Sequence, residues 1–217
     1  MSVAPALLEP APVADAASFA ARTGATAAQM ADLEQFQAML ADWNGRMNLV
    51  SAGSLADFWP RHALDSAQLL AIAPAARTWV DIGAGAGFPG LVLALETGIA
   101  FTLIESDSRK AAFLQDAARE LAAPVKVLNT RIEAAKTAQA RLITARALAP
   151  LDKLLALAAP HLAPGGVCLF PKGRTYEEEL KAAETHWRME VERCKNPFDA
   201  EACILKLGKI HHAGKSG

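Results

Sequence analysis

Asp81-Ile82-Gly83-Ala84-Gly85-Ala86-Gly87 sets an acid ahead of three glycines at alternate positions, and no other stretch of the chain points so directly to ligand chemistry. A short apolar, partly β-branched run, Thr78–Ile82, leads into it, and a helical pattern over 88–97 leads out. At such a strand-to-helix corner glycine lets the backbone turn tightly and lets a ligand approach with no Cβ in the way. In an open α/β sheet, ligands bind at the carboxyl ends of the strands. Spacing narrows the choice of ligand. A dinucleotide fingerprint, G-x-G-x-x-G, needs glycine at position 88, where this chain has Phe88. A P-loop needs Lys-Ser or Lys-Thr after its last glycine, and none follows here.

A second signal is independent of the first. Phe101-Thr102-Leu103-Ile104-Glu105 is a strand pattern ending in an acid 22 residues after Gly83. A carboxylate at the end of the second strand can accept hydrogen bonds from both hydroxyls of a ribose. The alternative is that Glu105 caps the helix that starts near Ser108. Together, the G-x-G-x-G loop, the acid ahead of it and Glu105 resemble the first motif of the Rossmann-like methyltransferases. That resemblance implies S-adenosylmethionine as cofactor and S-adenosylhomocysteine as product.

Residues that are missing constrain the acceptor. Methylation of an exocyclic amine on adenine or cytosine uses an [DN]-P-P-[FYW] tetrad after the fourth strand. This chain has Thr144-Ala145-Arg146-Ala147-Leu148-Ala149-Pro150 there. Asn196-Pro197-Phe198 looks similar, but it falls between the last two predicted strands and reads as a turn. Methylation of carbon 5 of a pyrimidine needs a thiolate. Cys168 lies inside a predicted buried strand, and Cys194 and Cys203 flank the late turn, so none is placed for it. A ring nitrogen with a free lone pair needs neither device, only positioning.

Several further segments occur in a fixed order: Trp43-Asn44-Gly45-Arg46-Met47-Asn48-Leu49-Val50-Ser51, Arg61-His62-Ala63-Leu64-Asp65-Ser66, the glycine loop continued by Phe88-Pro89-Gly90, Glu105-Ser106 with Arg109-Lys110 and Phe113-Leu114, Arg131-Ile132-Glu133, Arg146-Ala147 and Lys172-Gly173. Over roughly residues 26–210 they resemble the bacterial 16S ribosomal RNA (guanine-N7) methyltransferase G family (RsmG), also called glucose-inhibited division protein B. The resemblance implies methyl transfer to nitrogen 7 of one guanine in 16S ribosomal RNA, either as RNA or within a small-subunit particle. It implies that Gly83, Gly85, Gly87 and Phe88 hold the cofactor, Glu105 its ribose, and Ile132 and Glu133 its adenine. Arg146 also reaches the site. The family more often has Asp at position 105 and Leu at position 88.

No residue is assigned as catalytic; Arg146, His62 and Asp65 are candidate positioning residues. Arg146 ends a buried apolar run, where an unpartnered guanidinium would be costly, so it is expected over a cleft. His62 and Asp65 stand three apart on one helical face, close enough to touch, either as a structural pair or as a wall of the acceptor pocket. Asn48, Arg61, His62, Lys172 and Arg174 are candidates for contact with RNA, Lys172 because it follows the fifth strand. Asn48 could instead order its loop, and Trp43, Phe58 and Trp59 at helical spacing suit a core. His161 is left without a role.

The elements that must position these residues follow from periodicity. Met30, Leu33, Phe36, Met39, Leu40 and Trp43 predict a helix capped by Thr26 and ended by Asn44-Gly45. A second helical stretch runs from after Ser54 to Pro74, with a kink or restart at Pro60. Strand patterns at 78–82, 101–104, 125–128, 142–145 and 167–170 alternate with helical ones at 88–97, 108–122, 149–159 and 175–185. Parallel β-α-β units follow from that alternation. Segments 187–194 and 201–207 suit an antiparallel pair at a sheet edge. The fold class is therefore α/β: a Rossmann-like class I methyltransferase with a mostly parallel seven-stranded sheet and helices on both faces, preceded by a short helical region. The expected divisions are a flexible leader over 1–25, the helical region over 26–76, the methyltransferase core over 77–210 and a basic tail over 211–217, where His211, His212 and Lys215 follow Lys206 and Lys209.

Bulk properties fit. The 217 residues are 52% hydrophobic and 21% charged, a globular balance, and the net charge of −1 advertises no general affinity for polyanions. Five acids against Arg22 in residues 1–42 leave the remainder positive. Three scattered cysteines form neither a disulfide framework nor a zinc pattern, so no metal is expected. Without a basic leader or a long apolar run, no membrane partner is expected either, and a monomer in the cytoplasm is. Two other functions remain open: a small-molecule or protein acceptor with the same cofactor, and a non-catalytic binding domain on the same scaffold.

Overall fold

The computed structural model describes residues 12–196 and 199–214. Strand β1 (Trp79–Ile82) is buried at every position, as a strand covered on both faces must be. It pairs in parallel with β2 (Phe101–Glu105) on one side and β4 (Ala140–Thr144) on the other. Beyond these, β3 (Val125–Asn129) pairs with β2 and β5 (Leu162–Lys172) with β4, both in parallel. Strand β7 (Cys203–His212) lies antiparallel to both β5 and the edge strand β6 (Trp187–Lys195), giving the order β3-β2-β1-β4-β5-β7-β6. The chain leaves β1 for β2 in one direction and later returns to place β4 on its other side. Their carboxyl ends therefore open a crevice at the point where the strand order reverses.

Helices α5 (Gly90–Thr97), α6 (Ser108–Glu120), α7 (Leu151–Ala158) and α8 (Tyr176–Ala183) follow β1, β2, β4 and β5. They divide between two apolar clusters, one on each face of the sheet. Between β3 and β4 the connection is a single 3-10 turn, Ile132–Ala134, followed by extended chain.

The amino-terminal helices α1 (Ala16–Thr23), α2 (Ala27–Asn44), α3 (Ala52–Ala56) and α4 (Asp65–Ala67) pack on the α5–α6 face. A π-helical stretch, Phe58–Leu64, lies between α3 and α4 and contains Pro60, whose missing N–H suits a widened turn. Helix α2 begins as its sequence requires, with Thr26 and Gln29 forming a reciprocal cap.

Two expectations about the ends need correction. The leader expected to be flexible over 1–25 contains α1, capped by Asp15 and Ser18 and closed by Gly24. Its Phe19 is fully buried, 5.3 Å from the Trp59 ring. Alanine and proline dominate that segment and hide a short amphipathic pattern whose energy comes from one aromatic; residues 1–11 lie outside the described residues. At the other end, His211 and His212 belong to β7, paired with Arg188 and Trp187. The reading of Lys215 as part of a basic tail lies outside the described residues.

Candidate functional site

The glycine loop sits where the crevice opens. Gly85 has φ 56° and its missing Cβ would meet open space, with the nearest atom, the Gly83 carbonyl oxygen, at 3.8 Å. Gly87, at φ 92°, faces inward instead: a Cβ there would come within 3.2 Å of the Phe36 ring of α2. The loop is thus held from below by the amino-terminal helices and bare above at Gly85, while the Leu148 side chain lies over Gly83.

Asp81 anchors the loop from beneath. Its Oδ1 accepts from the Thr144 hydroxyl at 2.8 Å and its Oδ2 from the Gly90 N–H at 3.0 Å, tying β1 to β4 and to the start of α5. Complete burial pushes this carboxyl up to about 7, against the opposing pull of those two hydrogen bonds and of Arg146.

Glu105 is buried at the end of β2 and lines a cavity of about 360 Å³ with Gly83, Gly85, Ile132, Glu133 and Arg146. Its Oε2 accepts from the Gly85 N–H at 2.9 Å and its Oε1 from the Asp107 N–H at 2.8 Å. The helix-capping role considered for it belongs to Asp107, whose carboxylate accepts from the N–H groups of Arg109 and Lys110. The fixed carboxylate keeps lone pairs free on the cavity side, and the volume lies in the range of small-molecule sites.

His161 had no role in the sequence and has one here. Buried at the start of β5, it reaches the carbonyl of Ile132 with Nε2 at 2.9 Å, while Nδ1 lies 3.0 Å from the Thr137 hydroxyl. Donation from Nε2–H and acceptance at Nδ1 satisfy both contacts and pin the turn that carries Ile132 and Glu133.

Phe88 does not line the cavity. It lies behind the wall, stacked on His62 at 4.3 Å and 11°, in ring contact with Phe36 and Phe58. Gly87 is likewise buried behind the loop. In this structure the two support the loop from beneath.

Arg146, two residues past β4, brings the other candidates together. Its guanidinium donates to the Arg61 carbonyl at 3.0 Å and to Asp65 Oδ2 at 3.2 Å, contacts His62 Nδ1 at 2.8 Å, and stands 4.9 Å above the Phe88 ring. Burial, then the charges of Arg146 and Arg61, push His62 down from 6.5 to about 4, so it is neutral at physiological pH. A neutral His62 whose Nδ1 accepts from Arg146 has no lone pair left to take a proton. Arg61, His62, Asp65 and Arg146 line a second, larger cleft of about 880 Å³, which shares the wall Arg146–Ala149 with the first cavity.

The remaining candidates divide. Lys172 lines the cleft, but its ammonium is paired with Glu179 at 2.6 Å and donates to the Ala149 carbonyl at 3.0 Å. Glu179 also accepts from the Leu151 N–H, so Lys172 braces the 149–151 loop rather than offering a free charge to RNA. Arg174 and Asn48 are exposed and line neither cavity. The loop that Asn48 was thought to order is held by Asn44, whose side chain accepts from the N–H groups of Leu49 and Val50. Asn196, read from sequence as part of a turn, lines the cleft near Asp65; its neighbours Pro197 and Phe198 lie outside the described residues. Burial raises all three thiols, Cys168 furthest and Cys194 to about 11, and none lines either cavity. Among the described residues no group of three or more His, Cys, Asp or Glu could hold a metal ion.

Residues 29–201 match the family described as GidB, rRNA small subunit methyltransferase G. The chain belongs to this family. A ribosomal RNA small subunit methyltransferase G of Rhodospirillum centenum is 47% identical over 206 residues, which cover 94% of this chain and 95% of that one. The corresponding protein of Acidiphilium cryptum is 50% identical over 185 residues, 83% of this chain and 85% of its own. Among solved structures, a TehB-like S-adenosylmethionine-dependent methyltransferase from Corynebacterium glutamicum superposes with a TM-score of 0.56 at 17% identity, over 79% of this chain and 98% of that one. That likeness is one of fold, and it is the fold expected from the strand and helix pattern. The G-family match covers both walls of the shared boundary, from α2 to the Asn196 segment.

Proposed function

We propose that this chain transfers a methyl group from S-adenosylmethionine to nitrogen 7 of a specific guanine in 16S ribosomal RNA, acting as a monomer in the cytoplasm on the RNA or on a small-subunit particle. The observation that carries this reading is the shared wall Arg146–Ala149, on which a cavity of cofactor size meets a larger cleft bordered by Arg61, His62 and Asp65. Family membership supplies the class of acceptor. Among the described residues no helix is long and apolar enough to cross a membrane.

S-adenosylmethionine, when bound, supplies an electrophilic methyl group on a sulfonium centre. In the mechanism proposed here, the backbone at Gly83 and Gly85 would let the cofactor approach closely, Glu105 would accept from its ribose hydroxyls, and Ile132 would cover its adenine. Arg146, fixed by three polar partners, shapes the boundary where methyl and acceptor meet. Guanine N7 carries an in-plane lone pair and no hydrogen. Methyl transfer to that lone pair would leave the C–S electron pair on sulfur and would require no proton to leave. A side-chain base is therefore unnecessary, in keeping with a neutral His62 whose lone pair is engaged and an Asp65 paired to Arg146.

The test is transfer of labelled methyl to small-subunit particles from cells lacking the gene, with Gly83→Asp as control. Label at nitrogen 7 of a single 16S guanine, absent in the control, is the expected result. Tight binding of S-adenosylhomocysteine without any label on RNA would overturn the choice of acceptor and favour a small molecule or protein instead.

A further inference from the structure

Leu148 is the one large hydrophobic side chain that is exposed among the described residues, at 36%. It stands on the wall common to the cofactor cavity and the acceptor cleft. Its methyl groups lie against the first glycine of the loop: a Cβ built on Gly83 would come within 2.6 Å of Leu148 Cδ1 and 3.0 Å of Cδ2. The preceding residue, Ala147, holds a left-handed φ of 51°, a conformation that non-glycine residues rarely adopt. That kink lets neighbouring positions of one loop diverge. Arg146 turns to His62 and Asp65, while the Leu148 side chain lies over Gly83.

The chemistry proposed above needs an in-line approach with reacting atoms about 3–3.5 Å apart. The junction of the two cavities is the place where an acceptor nitrogen and a methyl group on sulfur can come that close. Beside Leu148 the shared wall carries the small Ala147 and Ala149, with Arg61, Asp65 and Arg146 on one side and Glu105 on the other, so Leu148 is its one large apolar side chain. Packed in part on Gly83, Leu148 still leaves 36% of its surface exposed there, a remainder that folding does not reward. It offers a planar base an apolar surface and keeps water from the transfer axis.

We propose that Leu148 is an acceptor-positioning residue: it packs on the face of the target purine and holds the ring nitrogen in line with the methyl group. The inference rests on the reading of the acceptor as RNA. It assigns Leu148 to the acceptor rather than to the cofactor, and a structural role in supporting the glycine loop would behave differently.

The experiment compares Leu148→Ala, Leu148→Met and Leu148→Asn with the unaltered protein. It measures kcat and KM on small-subunit particles, S-adenosylhomocysteine affinity by calorimetry, and melting temperature. Loss of one apolar side chain from a ligand contact predicts that kcat/KM falls about tenfold in Leu148→Ala. The fall should be at least as large in Leu148→Asn and nearly absent in Leu148→Met. Affinity for S-adenosylhomocysteine stays within about twofold throughout, since this is the limb that a loop-supporting role would move. Unchanged kcat/KM in Leu148→Ala overturns the proposal. So does a loss of S-adenosylhomocysteine affinity that matches the loss in kcat/KM, because Leu148 would then serve the loop or the cofactor. If the unaltered protein labels RNA and the variants match it, only the role of Leu148 falls. If the unaltered protein labels no RNA, the choice of acceptor falls and this inference with it.

Discussion

The guanidinium of Arg146 reaches a backbone carbonyl, a carboxylate and an imidazole together, with donors spread over two nitrogens of a rigid plane rather than crowded on one ammonium. These contacts explain why an arginine can stand at the end of a buried strand, and they settle the state of His62 as well. Asp81 shows the same economy beneath the loop, one carboxyl serving two buried donors. Asp81→Ala leaves the Thr144 hydroxyl and the Gly90 N–H without a partner, at a cost of about 2–4 kcal/mol by denaturant unfolding. Asp81→Asn keeps an oxygen for Gly90 and offers an N–H to Thr144, so it is expected to lose less than half as much. Equal losses in the two variants would mean that the negative charge, not the hydrogen bonding, matters. Glu105 and the glycines were legible in the sequence because local spacing alone puts them at the ends of neighbouring strands. For Lys172, the position at a strand end gives its side of the sheet and not its partner. Glu179, seven residues on, claims it.

Between β3 and β4 a pinned turn stands where the other crossovers have helices, and a buried histidine holds it. His161→Phe keeps a ring of somewhat larger volume and removes both hydrogen bonds. Each is worth about 1 kcal/mol, so S-adenosylhomocysteine affinity should fall by up to about thirtyfold while KM for RNA changes little. A larger effect on RNA than on cofactor would contradict the role given to this turn. Helix α1 makes the complementary case. Phe19→Ala removes a fully buried ring, and a loss of about 3–5 kcal/mol should lower the melting temperature by roughly 6–20 °C. No measurable shift would restore the reading of that segment as a mobile leader. The order of strands and helices was legible from period and length. The packing of α1 and the hold of His161 were not, since both depend on partners 24 or more residues away in sequence.

Across the whole molecule, buried acidic and basic groups set how stability follows pH. Burial pushes the Glu96 carboxyl from 4.5 to about 7, and its Oε1 finds no partner among the described residues. The folded protein therefore holds that proton more tightly than the unfolded chain. Stability falls as pH rises from about 4.5 to about 7, and the full loss persists above. Glu96→Gln should recover at most about 3 kcal/mol at pH 8 and nothing near pH 4, as read from denaturant midpoints at several pH values. A gain that does not vary with pH would refute this. His62 works in the opposite sense: lowered from 6.5 to about 4, it withdraws stability as pH falls through that interval.

The wall Arg146–Ala149 has a thermodynamic corollary. Two ligands that press on opposite sides of one short loop cannot be indifferent to each other, and the free energy of their coupling is a single number read from either side. If S-adenosylhomocysteine tightens the hold on the RNA by some factor, the RNA must tighten the hold on S-adenosylhomocysteine by that same factor. Titrating each ligand in the absence and presence of the other should return equal ratios different from one. A ratio of one would mean that the loop keeps a single shape whichever side is filled, and that the two cavities share a boundary without sharing energy.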